Sequence, residues 1–152
     1  MRIRTFSGGA FGQNGYLAVS ETDGAAVVID PGASAAGMVR HLQAAGTTPT
    51  AILLTHAHLD HVEGIPTVRA AFPEVPIHLH PADRPLYDAA VQQGAAFGYP
   101  MPDLPAPDRV LAPGEHQGRR HGLAAEQGVA RDVVRSHDEC RVAAPEHGRS
   151  EE

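Results

Sequence analysis

The chain has 152 residues, 42% apolar and 5% aromatic with no tryptophan, which is enough for one domain with a core built on Ala, Val, Leu and Ile. Its net charge of −6 argues against nucleic acid as the main partner, because phosphate binding wants a basic face. The lone cysteine, Cys140, excludes an intramolecular disulfide and fits a reducing compartment; no run is long enough to cross a bilayer, and Met1 to Phe6 lacks a signal-peptide stretch, so the sequence reads as soluble and cytoplasmic.

Ile3 to Phe6 reads as a first strand, and Ser7-Gly8-Gly9 and Gly12-Gln13-Asn14-Gly15 as loop material. Tyr16 to Val19 is a second strand. Glu21-Thr22-Asp23-Gly24 is a turn, with Asp-Gly the strongest hairpin signal in the chain. Ala25 to Ile29 is apolar on both faces, which predicts a central strand, and Asp30-Pro31-Gly32 ends it. Ser34 is placed to cap a helix through about Ala45, closed by Gly46, with Met38, Leu42 and Ala45 on its apolar side and His41 solvated.

Ala51 to Leu54 is an aliphatic strand, and it runs into Thr55-His56-Ala57-His58-Leu59-Asp60-His61. In extended chain, residues two apart point the same way, so His56 and His58 can close on one cation. A turn after His58 swings Asp60 and His61 toward a second. Imidazole with carboxylate suits zinc, iron or manganese. The plain alternative is a solvated, His-rich loop, but left uncoordinated at the end of a buried strand these side chains form a costly polar cluster.

Glu63 to Phe72 reads as a second helix with Pro66 near its start. Val75 to Leu79 is another strand, and Pro81-Ala82-Asp83 opens a helix through about Val91. His78 and His80 repeat the His-x-His spacing, yet no carboxylate and third His follow at the right offset; of the two, His80 near the strand end is the better ligand candidate. Residues 94 to 114 are rich in Pro and Gly and read as a long irregular loop, either a lid or substrate wall or a plain connector. A hairpin-rich beginning followed by alternating strands and helices predicts a mixed α/β (α+β) architecture, a mixed sheet covered by helices with the site at strand ends.

The motif His56-x-His58-x-Asp60-His61, with Thr55 before it, resembles the signature of the metallo-β-lactamase-fold hydrolases, nearest the hydroxyacylglutathione hydrolase (glyoxalase II)-like branch. Asn14-Gly15-Tyr16-Leu17, Val28-Ile29-Asp30-Pro31-Gly32 and Pro107-Asp108-Arg109-Val110-Leu111 are similar to other parts of that family's pattern. The resemblance implies an αββα sandwich. It implies that His56 and His58 bind one metal and Asp60 and His61 a second, with zinc expected and iron or manganese as alternatives. It implies a small-molecule acyl substrate, a thioester or lactone, attacked by a hydroxide shared between the metals, with Asp60 as the catalytic carboxylate. Asp30 takes a role behind the site, orienting a ligand; a strand-ending Asp capping the next turn is the structural alternative. A nuclease on the same fold is disfavoured by the acidic balance.

The resemblance covers about residues 1 to 114. The third His of the first metal, the Asp that bridges both metals and the last His of the family's pattern have no counterparts after Gly114, and Pro145-Glu146-His147-Gly148 only echoes one of the expected segments. All twelve basic residues are arginine, and half of them follow Gly114. The sequence therefore predicts the N-terminal half of the sandwich over 1–114 with the second half incomplete, and an atypical tail over 115–152. Truncation or a frame shift near Gly114 explains that tail, and a tail that folds differently is the rival. The matching functional alternative is a catalytically incomplete remnant that binds metal weakly or needs a partner chain.

Overall fold

The computed structural model describes residues 1–110. The predicted tail and the positions around Gly114 lie outside the described residues. Six strands form one sheet in the order β1-β2-β3-β4-β5-β6: Arg2–Gly8, Gln13–Val19, Ala26–Ile29, Pro49–Leu53, Ile77–Leu79 and Arg109–Val110. The first three pair antiparallel and the last four, β3 to β6, pair parallel, as the change from hairpins to helical crossovers predicts. β3 is buried along its whole length and paired on both sides, matching its unbroken apolar run.

Helices α1 (Ala35–Ala44), α2 (Leu59–Val62), α3 (Ile65–Ala71) and α4 (Arg84–Ala96) contribute to a single cluster on one face of the sheet, where Leu17, Val28, Ile52, Ile77 and Leu79 meet Met38, Leu42, Val62, Ile65, Val68 and Tyr87. Each such aliphatic side chain, fully buried, is worth about 1.5–3 kcal/mol of transfer free energy. The opposite face carries a second buried cluster of Ala18, Val27, Ile29, Ala51 and Leu53, with Tyr16 against it. Among the described residues no helix is long and apolar enough to cross a membrane.

Several boundaries depart from the sequence reading. Ser7, Gly8 and Gln13 to Gly15 are not loop but strand, because the β1–β2 ladder continues to the pair Gly8–Gln13 and closes over only residues 9–12. Ser34 does not cap α1; its hydroxyl donates to the carbonyl of Phe6 at 3.2 Å, tying the helix start to β1. Ala45 is exposed, and Ala35, Met38, Val39 and Leu42 form the buried side. His41 is not simply solvated: its ring nitrogens lie 3.0 and 3.3 Å from the Arg4 guanidinium. The helix expected from Glu63 is α3, which starts two residues later, at Ile65, and the separate short helix α2 precedes Glu63. The helix after β5 begins as a 3-10 turn, Pro81–Asp83, and runs five residues past Val91 to Ala96. The irregular loop therefore starts at Phe97 rather than Gly94.

Candidate metal centre

β4 lies parallel between β3 and β5, so the chain leaving Leu53 emerges at the carboxyl edge of the sheet, next to the end of β3 at Asp30. Buried Leu54 and Ala57 pin this exit. His56 and His61 are half-buried and His58 is exposed. The turn expected after His58 is α2 itself, with His58 extended at φ −63° and ψ 149° and helical backbone from Leu59. The segment is seated by glycines. Gly64 donates its N–H to the carbonyl of Pro31 at 2.7 Å, and a Cβ there would collide with the carbonyls of Gly32 and Pro31 and with Ala35. A Cβ on Gly32 would strike the Asp60 carbonyl and the Gln13 side chain.

Asp30 is buried and holds a φ of +48°, a left-handed backbone uncommon outside glycine. Its own hydrogen bonds over-determine that conformation. Oδ1 accepts the Thr55 N–H at 2.8 Å and Oδ2 accepts the Thr55 hydroxyl at 2.6 Å, while its carbonyl accepts from Gln13 Nε2 at 3.1 Å. Since an ionised carboxylate only accepts, Thr55 commits its one proton to Asp30, and its Oγ1 is left to accept from His56 Nδ1, 3.0 Å away. This places the His56 proton on Nδ1 and leaves a lone pair on Nε2. His61 Nδ1 is buried 3.1 Å from the same Asp30 oxygen, outside hydrogen-bond alignment, and its Nε2 stands 3.8 Å from Asp60 Oδ2.

The three imidazoles are in contact. The His56 ring centroid lies 4.5 Å from that of His58, edge-on, and 4.0 Å from that of His61. Burial first, and then the charges of His61 and His58, pull His56 down to about 4 against the opposing pull of Asp30 and Asp83. It is therefore neutral at pH 7, the state in which imidazole binds a metal. The donor chemistry thus fits a divalent cation: neutral imidazole nitrogens, a carboxylate, and a buried carboxylate behind them. Among the described residues no three His, Cys, Asp or Glu side chains are arranged to hold one ion.

The structure thus brings His56, His58, Asp60, His61 and Asp30 to one place. His78 and His80 lie on and just after β5. His78 is buried on β5, level with Leu53 and Arg109, and His80 Nδ1 accepts the Ala82 N–H at 3.3 Å across the 3-10 turn. Sequence reasoning missed the link that Thr55 makes between Asp30 and His56. It also missed Tyr99, whose hydroxyl donates to Glu63 Oε2 at 2.8 Å beside the motif. The Gly98-Tyr99 pair, just after a helical stretch, was the available signal for the second.

The metallo-beta-lactamase superfamily model matches residues 8–139. A probable metallo-hydrolase, YqgX, of Bacillus subtilis is 32% identical over 117 residues, spanning 76% of this chain and 54% of that protein. A hydroxyacylglutathione hydrolase of Xylella fastidiosa is 39% identical over 69 residues, spanning 45% of this chain and 26% of that enzyme. Among solved structures, TTHA1623 in a di-iron-bound form superposes with a TM-score of 0.64 at 38% identity, over 74% of this chain and 56% of that one. BLEG-1, a B3 metallo-beta-lactamase, also gives 0.64, at 32% identity over 73% and 53%. The chain spans about half the length, or less, of the curated relatives it matches.

Proposed function

The chain belongs to the metallo-beta-lactamase superfamily, and on that premise we propose that it is a metal-dependent hydrolase of a thioester or a related acyl or lactone substrate. His56 and His58 would hold one metal and Asp60 and His61 a second, while Asp30 orients His56 through Thr55 and stands 3.1 Å from His61 Nδ1. The observation that carries this reading is the shared Asp30 carboxylate, which sets the tautomer of one imidazole and faces Nδ1 of another. A divalent metal in such a place lowers the pKa of its water to about 7 and polarises a carbonyl oxygen.

Asp60, whose Oδ2 stands 3.8 Å from His61 Nε2, is the carboxylate assigned to the chemistry. The donors favour zinc, and iron or manganese are alternatives; a di-iron form of a structural relative supports iron among them. The thioester preference rests on the motif and on the short match to hydroxyacylglutathione hydrolase. The lone cysteine and acidic balance support a reducing, cytoplasmic setting and a small-molecule rather than nucleic-acid partner.

A second reading, an incomplete site that binds metal weakly or needs a partner chain, has one observation in its favour: the described donors do not form a set of three. Zinc- or iron-dependent turnover of a generic thioester by the purified chain, reduced at least about a hundredfold in Asp60→Asn, supports the hydrolase. Absence of turnover at every metal loading, with sub-stoichiometric metal, supports the second reading.

A further inference from the structure

α4 ends in a way that fixes one side chain beside the metal motif. Gly98 takes a φ of +70° and donates its N–H to the carbonyl of Ala95 at 3.1 Å, and Tyr99 donates its N–H to the carbonyl of Gly94 at 2.8 Å. Those two bonds are a Schellman cap, so the backbone of Tyr99 is tied to the last turn of the helix. Gly94 makes this return possible, because a Cβ there would lie 2.5 Å from the Tyr99 carbonyl.

The ring is fixed as well. Its hydroxyl donates to Glu63 Oε2, and Phe11, at the tip of the β1–β2 hairpin, meets it edge-on at a centroid distance of 5.5 Å. Glu63 lies on the turn of chain that carries Asp60 and His61. The hairpin itself rests close by, since a Cβ on Gly9 would lie 3.7 Å from Glu63 Oε1. Two large apolar rings remain in water here: Phe11 is 59% exposed and Phe97, at the end of the same helix, 76% exposed. Three independent attachments to hold one tyrosine at the rim of a polar cluster, with apolar surface left open around it, exceed what a connector needs.

We infer that Tyr99, held by Glu63 and braced by Phe11, is a specificity-determining residue whose ring forms one wall for the acyl chain of the substrate. The inference rests on the hydrolase reading for the identity of the acyl group, but not for the existence of the wall. An aromatic face held rigid gains apolar contact with a ligand at little entropic cost. Each methylene of an acyl chain laid against it removes more apolar surface from water, so longer chains bind better.

The test is binding rather than turnover, so that failure of catalysis and failure of the wall are separable. The probes are the methyl and hexyl thioethers of N-acetylcysteamine, which carry no hydrolysable bond, titrated calorimetrically into the full chain and into Tyr99→Ala, Tyr99→Phe and Glu63→Gln. The expected result is that the hexyl thioether binds at least about tenfold tighter than the methyl one. Tyr99→Ala loses most of that preference, Tyr99→Phe and Glu63→Gln keep an intermediate part, and circular dichroism shows all three folded. Equal preference in wild type and Tyr99→Ala overturns the inference, as does a wild-type chain that binds neither thioether. Thioester turnover, measured separately, then bears only on the hydrolase reading.

Discussion

A single carboxylate, Asp30, sits on a strained backbone, reaches His56 through Thr55 and lies beside His61. Replacing it with alanine leaves the Thr55 N–H and hydroxyl without their acceptor in a half-buried setting, which costs about 1–3 kcal/mol. It also frees the His56 tautomer. The expected outcome is a lower denaturation midpoint in the metal-free protein together with a roughly 10–100-fold loss of metal affinity. Asp30→Asn keeps an acceptor for one bond and is expected to fall between. The sequence marked Asp30 for an orienting role, but it did not show that Thr55 stands between Asp30 and His56. That contact depends on β3 and β4 ending side by side, a long-range fact no local pattern encodes. A second residue-scale prediction concerns His78, which lies on β5 level with Leu53. Burial, reinforced by the Arg109 charge, holds it down at about 4, so it stays neutral in the folded chain while an unfolded histidine titrates near 6.5. Between those values the unfolded chain binds more protons, so stability rises with pH from about 4 to about 6.5 and falls on acidification. Urea denaturation across that window should show the slope, and His78→Gln should reduce it.

The elements are placed by close backbone approaches as much as by apolar faces. The short helix that carries Asp60 and His61 packs its following glycine directly against the Pro31-Gly32 turn. Gly64→Ala introduces a methyl group where backbone oxygens stand, and backbone cannot swing aside as a side chain can. It is expected to destabilise the fold by about 1–3 kcal/mol or more and to weaken metal binding in parallel, read by thermal denaturation and by metal titration. Leu42→Ala, in the same helical layer but remote from the motif, should cost about 2–5 kcal/mol without changing metal affinity in the folded fraction. The aliphatic strands β3 and β4 and the helix α1 could be read from sequence because their apolar spacing and the Gly46 stop are local signals. The extension of β1 and β2 through Ser7, Gly8 and Gln13 could not, since glycine and polar residues there are carried by the ladder and not by their own preference. The start of α3 at Ile65 rather than Glu63 escaped for the same kind of reason: Gly64 gives its N–H to the neighbouring turn.

For the molecule as a whole, the order of strands follows from the switch in pattern between hairpins and crossovers, and membership of the superfamily was legible in one seven-residue stretch. What that stretch does not contain is the completion of the coordination sphere. The sheet's last described strand is held by Asp108, which accepts from the Ile77 N–H at 2.9 Å and pairs with Arg69 at 3.2 Å. Asp108→Ala should loosen β6 from β5 and lower stability by about 1–2 kcal/mol, with faster amide exchange confined to β5. The central claim, that the His56 to His61 segment holds catalytic metal, is tested most directly by elemental analysis of the purified chain beside His58→Ala, an exposed position whose loss leaves the core intact. The account predicts about two equivalents of zinc, iron or manganese in the wild type and a sharp fall in the variant. Much less than one equivalent, the same in both proteins, would contradict it.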